Sequence, residues 1–506
     1  MLCSNALNPL ITMMYNFIEI NIIQQFAFEI VFSLGLLFAI VFFTIFKDKR
    51  WNFKIAFNFA VFLLLALILA NSFVPTEKTL IYNNFYMFDN LSKYGRYFVC
   101  FLSIMCLYGS RHYIIKSNYT FEYILILLFA ILGLTLLLSA YDFLSIYLAV
   151  ELQSLAFYVL AASRKDSTYS VEAGLKYFIL GSFASALLVF GMSFIYCLTG
   201  IIHLSDLTLF LSNISLEQEN SYLFMFGICL ILSGLLFKLG AAPFHMWVPE
   251  VYDGAPSSVS MFFAVVPKVV IFTLIYRICG VVFADMADYW FFIIFISTAL
   301  SLALGSLGGL TQRRVKRLLA FSSINHVGYI LMGVLASTTY GLFGLIIYVA
   351  IYSLSSLVIW TILISTQVVK PNKEEEQMVR YIVDFKGLVS ANPTLAFILA
   401  LTLFSMAGTP PMAGFFAKAY IFLAVIHSKL YLIAFISIFF SLISAFYYLR
   451  FIKQIFTFNY DWHSQISMKP IPKEASLVIS FTFLLLVSFV LYSDFITIPA
   501  YSIISF

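Results

Sequence analysis

Residues 222–243 read YLFMFGICLILSGLLFKLGAAP, an apolar run that contains one charged residue, Lys238, and ends in a Gly-Ala-Ala-Pro pattern. A helix needs about 20 apolar residues to cross the hydrocarbon core of a bilayer. The 506-residue chain has the same character throughout, since 62% of its residues are hydrophobic, 10% are charged and the mean hydropathy is +0.99. Soluble domains carry about 25% charged residues. The composition therefore predicts a polytopic membrane protein and excludes a soluble enzyme, a disordered protein and a nucleic-acid-binding protein.

Fourteen apolar segments follow one another along the chain, separated by short loops. They predict one all-α integral domain with about fourteen transmembrane helices and no sizeable soluble part. The predicted spans are 22–46, 54–74, 94–110, 121–139, 141–162, 172–200, 222–243, 256–283, 289–310, 317–337, 339–366, 391–427, 430–449 and 475–498.

Positive charges alternate between the loops. Of the 29 Lys and Arg residues, 20 fall in the odd-numbered loops and 4 in the even-numbered loops, where the first three residues of a span are assigned to the loop before it, and 5 lie deeper inside predicted spans. A miscounted span would disrupt this alternation. By the positive-inside rule the odd loops face the cytoplasm or matrix, so both termini face the opposite side.

Among the charged residues inside the predicted spans, six call for an explanation, because a charge at the bilayer centre costs about 2.5–3.5 kcal/mol even on the lenient insertion scale. They are either static ion pairs between helices or parts of a proton relay. A buried lysine can release its proton near neutral pH, and a nearby carboxylate favours the protonated form. Moving that carboxylate towards or away from the lysine therefore makes the amine bind or release a proton. The six residues are Glu151, Glu172, Lys176, Lys238, Lys268 and Lys418, of which Glu172 and Lys176 can also pair with each other one helical turn apart.

Two of these lysines, Lys238 and Lys418, lie beside a Gly-x-x-Pro pattern in the seventh and twelfth predicted spans. Proline removes a backbone hydrogen bond, and such a break persists in a membrane only where protein or water satisfies the freed groups. The two spans are five apart, so the breaks run in opposite directions, as in inverted-repeat transporters. The residues predicted to form the breaks are Gly240, Pro243, Gly408, Pro410 and Pro411.

His326 lies inside the tenth predicted span, in AFSSINHVGYILMG. Because imidazole titrates near pH 6.5, His326 either joins the relay or makes a static hydrogen bond between helices. The six cysteines form no CxxC pair and no cluster with histidine, and the chain has no Gly-rich phosphate loop. We therefore expect no metal, iron–sulfur cluster, ATP or nicotinamide in this chain.

Five stretches carry a resemblance to a known family. They are YLAVELQSLAFYVLAAS, VEAGLKYFILGSFAS, FKLGAAPFHMWVPEVYDGAPSSV, VKRLLAFSSINHVGYILMG and FSMAGTPPMAGFFAKAYIF. Together they resemble the antiporter-like membrane subunits of respiratory complex I (NADH:ubiquinone oxidoreductase), and the N type among these more than the M and L types. The resemblance covers roughly residues 120–460. It implies fourteen helices with two inverted five-helix repeats, each containing a broken helix.

The resemblance also implies four segments. Residues 1–120 would hold helices 1–3, residues 121–283 the first repeat with helices 4–8, residues 284–449 the second, inverted repeat with helices 9–13, and residues 450–506 the C-terminal loop and helix 14.

Each buried charge receives a role from the same resemblance. Glu151 matches the carboxylate of the fifth helix, Lys238 the lysine of the broken seventh helix, Lys268 the central lysine of the eighth, and Lys418 the lysine of the twelfth helix at the exit half-channel. The chain would translocate protons along this Glu/Lys axis as one subunit of a translocase, while NADH, FMN, iron–sulfur clusters and ubiquinone are bound by other subunits. Secondary candidates for the relay are Glu172, Lys176 and His326.

The implied partners are neighbouring M-type and small K-type subunits, accessory subunits and membrane lipids, with no nucleic acid. The 57 Phe residues and the lack of an Arg-rich transit peptide favour an organelle-encoded protein of the mitochondrial inner membrane, with the bacterial plasma membrane as the alternative. Two rival functions stay open. One is a subunit of a multi-subunit cation/proton antiporter or membrane-bound hydrogenase, which share this fold, and the other is a structural spacer whose charges only hold helices together.

Overall fold

The computed structural model describes residues 25–45, 49–74, 78–81, 83–117, 119–213, 218–369, 376–457, 467–468 and 470–504. Over these residues the chain is an all-helical bundle. Thirteen helices are long and apolar enough to cross a membrane, and two shorter apolar helices, Pro393–Ala407 and Ala413–His427, together form the predicted twelfth span. The predicted fold class and the count of fourteen spans are confirmed. The predicted segment 1–120 begins in residues outside the described part.

The helices are α1 (Ala27–Ile45), α2 (Lys49–Ser72), α3 (Asn90–Lys116), α4 (Phe121–Ser139), α5 (Phe143–Ala161), α6 (Thr168–Thr199), α7 (Leu204–Asn213), α8 (Gln218–Leu239), α9 (Trp247–Gly254), α10 (Ser257–Tyr276), α11 (Ala287–Thr311), α12 (Val315–Leu335), α13 (Thr339–Ser365), α14 (Leu388–Ala391), α15 (Pro393–Ala407), α16 (Ala413–His427), α17 (Tyr431–Phe456), α18 (Lys473–Leu491) and α19 (Asp494–Ile504). A π-helical turn, Arg277–Val282, extends α10. Short strands β1 (Thr79–Ile81) and β2 (Tyr86–Phe88) form a hairpin, and β3 (Gln367–Val369) pairs with both β4 (Glu376–Met378) and β5 (Ser467–Met468).

Contacts between loops support the predicted alternation of loop sides. The sheet of β3, β4 and β5 joins the eleventh and thirteenth loops, and a bridge between Arg314 and Tyr381 joins the ninth and eleventh. A bridge between Asp142 and His203 joins the fourth and sixth loops. Odd loops thus meet odd loops and even loops meet even loops, as an up-and-down bundle requires. Which end faces the matrix or cytoplasm stays a prediction from the positive charges.

Three helices, α10, α12 and α13, are almost wholly buried within the bundle. Their buried residues occupy every side of the helix, which is expected of a helix that packs on every side. Helix α3 packs against α10, α13 and α18, so the N-terminal helices are continuous with the rest of the bundle. Asp89, the N-cap of α3, fixes this contact because both of its carboxylate oxygens accept a hydrogen bond from Arg277 Nη2 at 2.9 Å.

The first helix break follows α8. Gly240 has φ +73°, a left-handed conformation that ends the helix and that L side chains rarely adopt. The freed groups find partners, since the Trp247 indole donates to Phe237 O at 2.8 Å and Ala242 N donates to the Ser301 hydroxyl at 3.0 Å. After the break the chain continues as the short helix α9, which the sequence analysis had placed in a loop.

The second break separates α15 from α16. Gly408 has φ +85°, and a Cβ at this position would lie 2.8 Å from Lys418 Cδ. The last carbonyl of α15, at Ala407, accepts a hydrogen bond from Lys418 Nζ at 2.7 Å. Both breaks also contain a cis proline bond, at Ala242–Pro243 and Pro410–Pro411. The two breaks therefore share the same local design, a left-handed glycine followed three residues later by proline.

Candidate functional site

The first group of polar side chains lies on α5. Glu151, Ser154 and Tyr158 are spaced by three and four residues, which places them on one face of the helix. The Ser154 hydroxyl donates to Glu151 Oε2 at 3.1 Å, while Glu151 Oε1 is buried and has no hydrogen-bond partner among the described residues. Lys238 Nζ lies 3.4 Å from the Tyr158 hydroxyl and 5.7 Å from the centre of its ring. Glu151 and Lys238 interact electrostatically but lie beyond the 4 Å of a direct ion pair.

A small cavity joins this group to the centre of the bundle. Its lining includes the polar residues Gln153, Ser154, Lys238, Tyr252 and Lys268. The cavity measures about 10 Å³, which is room for about one water molecule. Lys238 and Lys268 thus line the same space, although they belong to different helices, α8 and α10.

Lys268 sits on α10 at the middle of the bundle, with 4% of its surface exposed. Its amine donates a hydrogen bond to the Tyr352 hydroxyl at 2.9 Å and lies 4.8 Å from the centre of that ring. A cation over an aromatic ring at this distance is attracted by the ring's negative face. No carboxylate lies within 4 Å of Lys268 in the described part of the chain.

A second cavity of about 10 Å³ lies on the far side of Tyr352. Its polar lining includes His326, Tyr348, Tyr352, Ser405 and Lys418. The two nitrogens of His326 face the hydroxyls of Tyr348 at 2.7 Å and Tyr448 at 3.0 Å. A neutral imidazole has one donor and one acceptor nitrogen, so the two hydroxyls take opposite roles towards it.

Lys418 is held at the second helix break. Besides its bond to the Ala407 carbonyl, its amine lies 4.9 Å from the centre of the Tyr329 ring. Like Lys238 and Lys268 it is buried, with 6% of its surface exposed. The three lysines therefore have similar environments. Each amine contacts a tyrosine, and none is paired with a carboxylate within 4 Å among the described residues.

The structure brings together five of the seven predicted site residues, in the order Glu151, Lys238, Lys268, His326 and Lys418. Each is in contact with a cavity or with a side chain that lines one. Groups of this kind, separated by single hydroxyls or by space for water, can pass protons from one to the next. His326, left open by the sequence, lies inside this line rather than apart from it.

Glu172 and Lys176 do not join the line, and their place in the relay stays a prediction. They lie in the first turns of α6 with side chains 60% and 43% exposed. Lys176 Nζ pairs with Glu172 at 2.7 Å and with Glu250 of α9 at 2.7 Å. The predicted span began at residue 172, whereas α6 begins at Thr168 and runs for 32 residues. At 1.5 Å per residue this helix is longer than a core of about 30 Å, so its first turns can extend beyond it.

Sequence reasoning missed the tyrosines of the site. Tyr158, Tyr352 and Tyr329 each contact one lysine, and Tyr348 and Tyr448 hold His326. The available signal was weak, because a tyrosine inside an apolar span can pack its ring in the core as well as hydrogen-bond through its hydroxyl. Only the rotation of each helix shows which hydroxyls face the charges.

Residues 140–444 match the family described as NADH:quinone oxidoreductase/Mrp antiporter, transmembrane. This match covers both helix breaks and every residue of the line. The chain belongs to this family. Its relatives include NADH-quinone oxidoreductase subunit N of Paramagnetospirillum magneticum, which is 36% identical over 84% of this chain and 86% of its own length. NADH-ubiquinone oxidoreductase chain 2 of Marchantia polymorpha is 39% identical over 82% of each chain.

Solved structures of other membrane complexes share the fold. A chain of respiratory complex I from Thermus thermophilus superposes with a TM-score of 0.75 and 24% identity, covering 94% of this chain and 98% of that one. A chain of the Mrp complex from Dietzia has a TM-score of 0.80 and 18% identity, covering 95% and 97%. The antiporter-like fold predicted from the sequence is confirmed. The boundaries proposed for the two repeats, at residues 121–283 and 284–449, stay a prediction.

Proposed function

We propose that this chain is an N-type (subunit 2) membrane-arm subunit of NADH:ubiquinone oxidoreductase, and that it moves protons along the line from Glu151 to Lys418. Relatives at 36–39% identity that span most of the chain carry the names subunit N and chain 2. The observation that carries the proposal is the state of three buried lysines, Lys238, Lys268 and Lys418. Each faces a water-sized cavity and a tyrosine, and none has a carboxylate within 4 Å among the described residues.

This arrangement argues against a structural spacer. A spacer would use its buried charges as ion pairs, because removing one partner of a buried pair leaves a costly unpaired charge. The described part of the chain does contain such a pair, Asp89 with Arg277, but it lies outside both cavities. The lysines of the line are instead placed where a proton can leave them.

NADH oxidation and quinone reduction would take place in other subunits and would act on the line by moving a charge near Glu151. We propose the M-type and K-type membrane subunits, accessory subunits and lipids as partners, with NADH, FMN, iron–sulfur clusters and ubiquinone bound elsewhere in the complex. We propose the mitochondrial inner membrane as the location, with the bacterial plasma membrane as the alternative, because relatives occur in both settings. Glu172 and Lys176 would hold α6 to α9 through Glu250.

The test is Lys238→Ala in the assembled complex, with Lys429→Ala as the control. Lys429 is an exposed lysine outside both cavities. We expect Lys238→Ala to abolish most NADH-driven proton translocation while NADH oxidation by an artificial acceptor, which bypasses the membrane arm, is unchanged. Normal proton translocation in an assembled Lys238→Ala complex would refute the role of this line.

One rival activity is cation/proton exchange, since the family includes Mrp antiporters and the fold is shared with one. A membrane vesicle assay without NADH or quinone separates the two. Exchange of Na⁺ for H⁺ driven by an imposed ion gradient would favour the antiporter, whereas proton movement that requires NADH and quinone would favour the complex I subunit.

A further inference from the structure

The two cavities of the line share no lining residue, so something must connect them. We propose that the Tyr352 hydroxyl, supported by Ser323, is the hydrogen-bonded connection between Lys268 on one side and the His326–Lys418 cavity on the other. This inference rests on the proposed function and adds a proton-transferring residue to it. Tyr352 lies on α13, a helix that carries none of the charges of the line.

The position of Tyr352 is the first argument. Its hydroxyl accepts the hydrogen bond from Lys268, which lines the first cavity, at 2.9 Å, and Tyr352 itself lines the second. Its ring lies 5.1 Å from the ring of His326, centre to centre. Among the described residues, no other side chain both hydrogen-bonds a lysine of the first cavity and lines the second cavity.

Ser323 provides the second argument. It lies on α12 with 2% of its surface exposed, and its hydroxyl donates to Ala320 O at 2.7 Å. The oxygen of Ser323 is therefore left as an acceptor. Ser323 precedes His326 by three residues, so both side chains lie on one face of α12, and His326 on this face packs against the Tyr352 ring. Ser323 and Tyr352 thus lie on neighbouring faces of α12 and α13 at the edge of the second cavity.

A hydroxyl has one donor and two acceptor sites, so Tyr352 can accept from Lys268 and donate away from it at the same time. In the proposed step one N–H bond of protonated Lys268 breaks and an O–H bond forms on Tyr352. The original Tyr352 proton leaves in the same event to a water molecule in the second cavity, because both ring nitrogens of His326 already face other tyrosine hydroxyls. Tyr352 ends neutral, Lys268 loses one positive charge and the acceptor gains it.

The experiment compares Tyr352→Phe with Tyr123→Phe in the assembled complex. Tyr123 is the matched control because it is also a buried tyrosine and its hydroxyl is hydrogen-bonded to the Ser258 hydroxyl at 2.9 Å. Unlike Tyr352, it lies outside both cavities. We expect Tyr352→Phe to lower NADH-driven proton translocation by about tenfold to a hundredfold, as expected for loss of a hydrogen bond to a charged group. Tyr123→Phe should leave it unchanged.

Ser323→Ala gives a second, independent measurement that keeps every ring in place. We expect a smaller, several-fold loss alone and no additional loss in the Tyr352→Phe background, because the two residues act on one proton path. A purely structural role would give additive losses. If Tyr352→Phe prevents assembly, unchanged translocation in Ser323→Ala overturns the proposal.

The proposal and the function on which it rests fail differently. Normal translocation in Tyr352→Phe together with loss in Lys238→Ala would remove Tyr352 from the path and leave the proposed function standing. Normal translocation in both variants would refute the proposed function itself.

Discussion

Gly408→Ala is the sharpest test of how the second helix break serves Lys418. Gly408 combines φ +85° with a close neighbour, since a Cβ there would lie 2.8 Å from Lys418 Cδ and 2.9 Å from its Nζ. Non-bonded carbon atoms rest at about 3.5–4.0 Å. The lysine side chain must therefore move by roughly 1 Å, away from the Ala407 carbonyl that its amine now meets at 2.7 Å.

Gly408→Ala has two free-energy costs, and a second variant separates them. An L residue in the left-handed region costs about 1–2 kcal/mol wherever it occurs. The lost hydrogen bond from a charged amine costs about 1.5–3 kcal/mol in addition. If that bond stabilises protonated Lys418, its loss changes the ratio of protonated to neutral Lys418 by about tenfold to a hundredfold.

Gly200→Ala is the control that has only the backbone cost of an L residue in the left-handed region. Gly200 ends α6 with φ +69°, and a Cβ there would meet no atom within 4 Å. Both variants would be introduced into the complex, their assembly followed on native gels, and NADH-driven acidification measured in membrane vesicles. We expect comparable assembly and a loss of proton translocation only in Gly408→Ala. Equal translocation in the two variants would show that the contact with Lys418 has no functional weight.

Three further outcomes are expected. Glu151→Gln keeps the shape but removes the charge that acts on Lys238, so proton translocation in vesicles should fall roughly tenfold, and an unchanged rate would separate Glu151 from the line. Arg277→Ala leaves Asp89 unpaired and should lower the Tm and yield of the assembled complex, since breaking a buried pair costs about 3–5 kcal/mol; a wild-type Tm would contradict this. Glu172→Gln should leave proton translocation unchanged because its exposed pair lies outside both cavities, and a large loss would return Glu172 to the relay.

The parts of the fold that could be predicted from the sequence are those in which an unsuitable residue would cost a large free energy. A loop needs polar residues and a span needs about 20 apolar ones, so both appear as runs that can be counted. The helix breaks were also predictable, because Gly240 and Gly408 followed by proline cannot continue a regular helix. The same reasoning identified Lys238, Lys268 and Lys418, since a charge is rare within a span unless it has a role.

The parts that the sequence did not predict depend on distances between helices. Glu172 is one example, because only the structure shows that its exposed carboxylate pairs with Lys176 and lies apart from the line. Tyr352 and Ser323 carry neutral hydroxyls, which cost too little in a membrane span to be noticed as charges are. Whether such a hydroxyl faces lipid or a lysine depends on helix rotation, and one sequence contains no information on it.

Both helix breaks have a buried lysine beside them, but the two lysines lie on opposite sides of the break along the chain. Lys238 lies in the last turn of α8, just before Gly240, whereas Lys418 lies on α16, after Gly408, and reaches back to the last carbonyl of α15. Each lysine is therefore tied to the C-terminal turn of the helix that precedes a break, Lys238 as a residue of that turn and Lys418 through its hydrogen bond, and unpaired carbonyls there favour a cation. Because the breaks fall in spans of opposite direction, these two ends point to opposite faces of the bundle. A movement of either break would alter the stability of one charged lysine, and this links helix position to proton occupancy at both ends of the line.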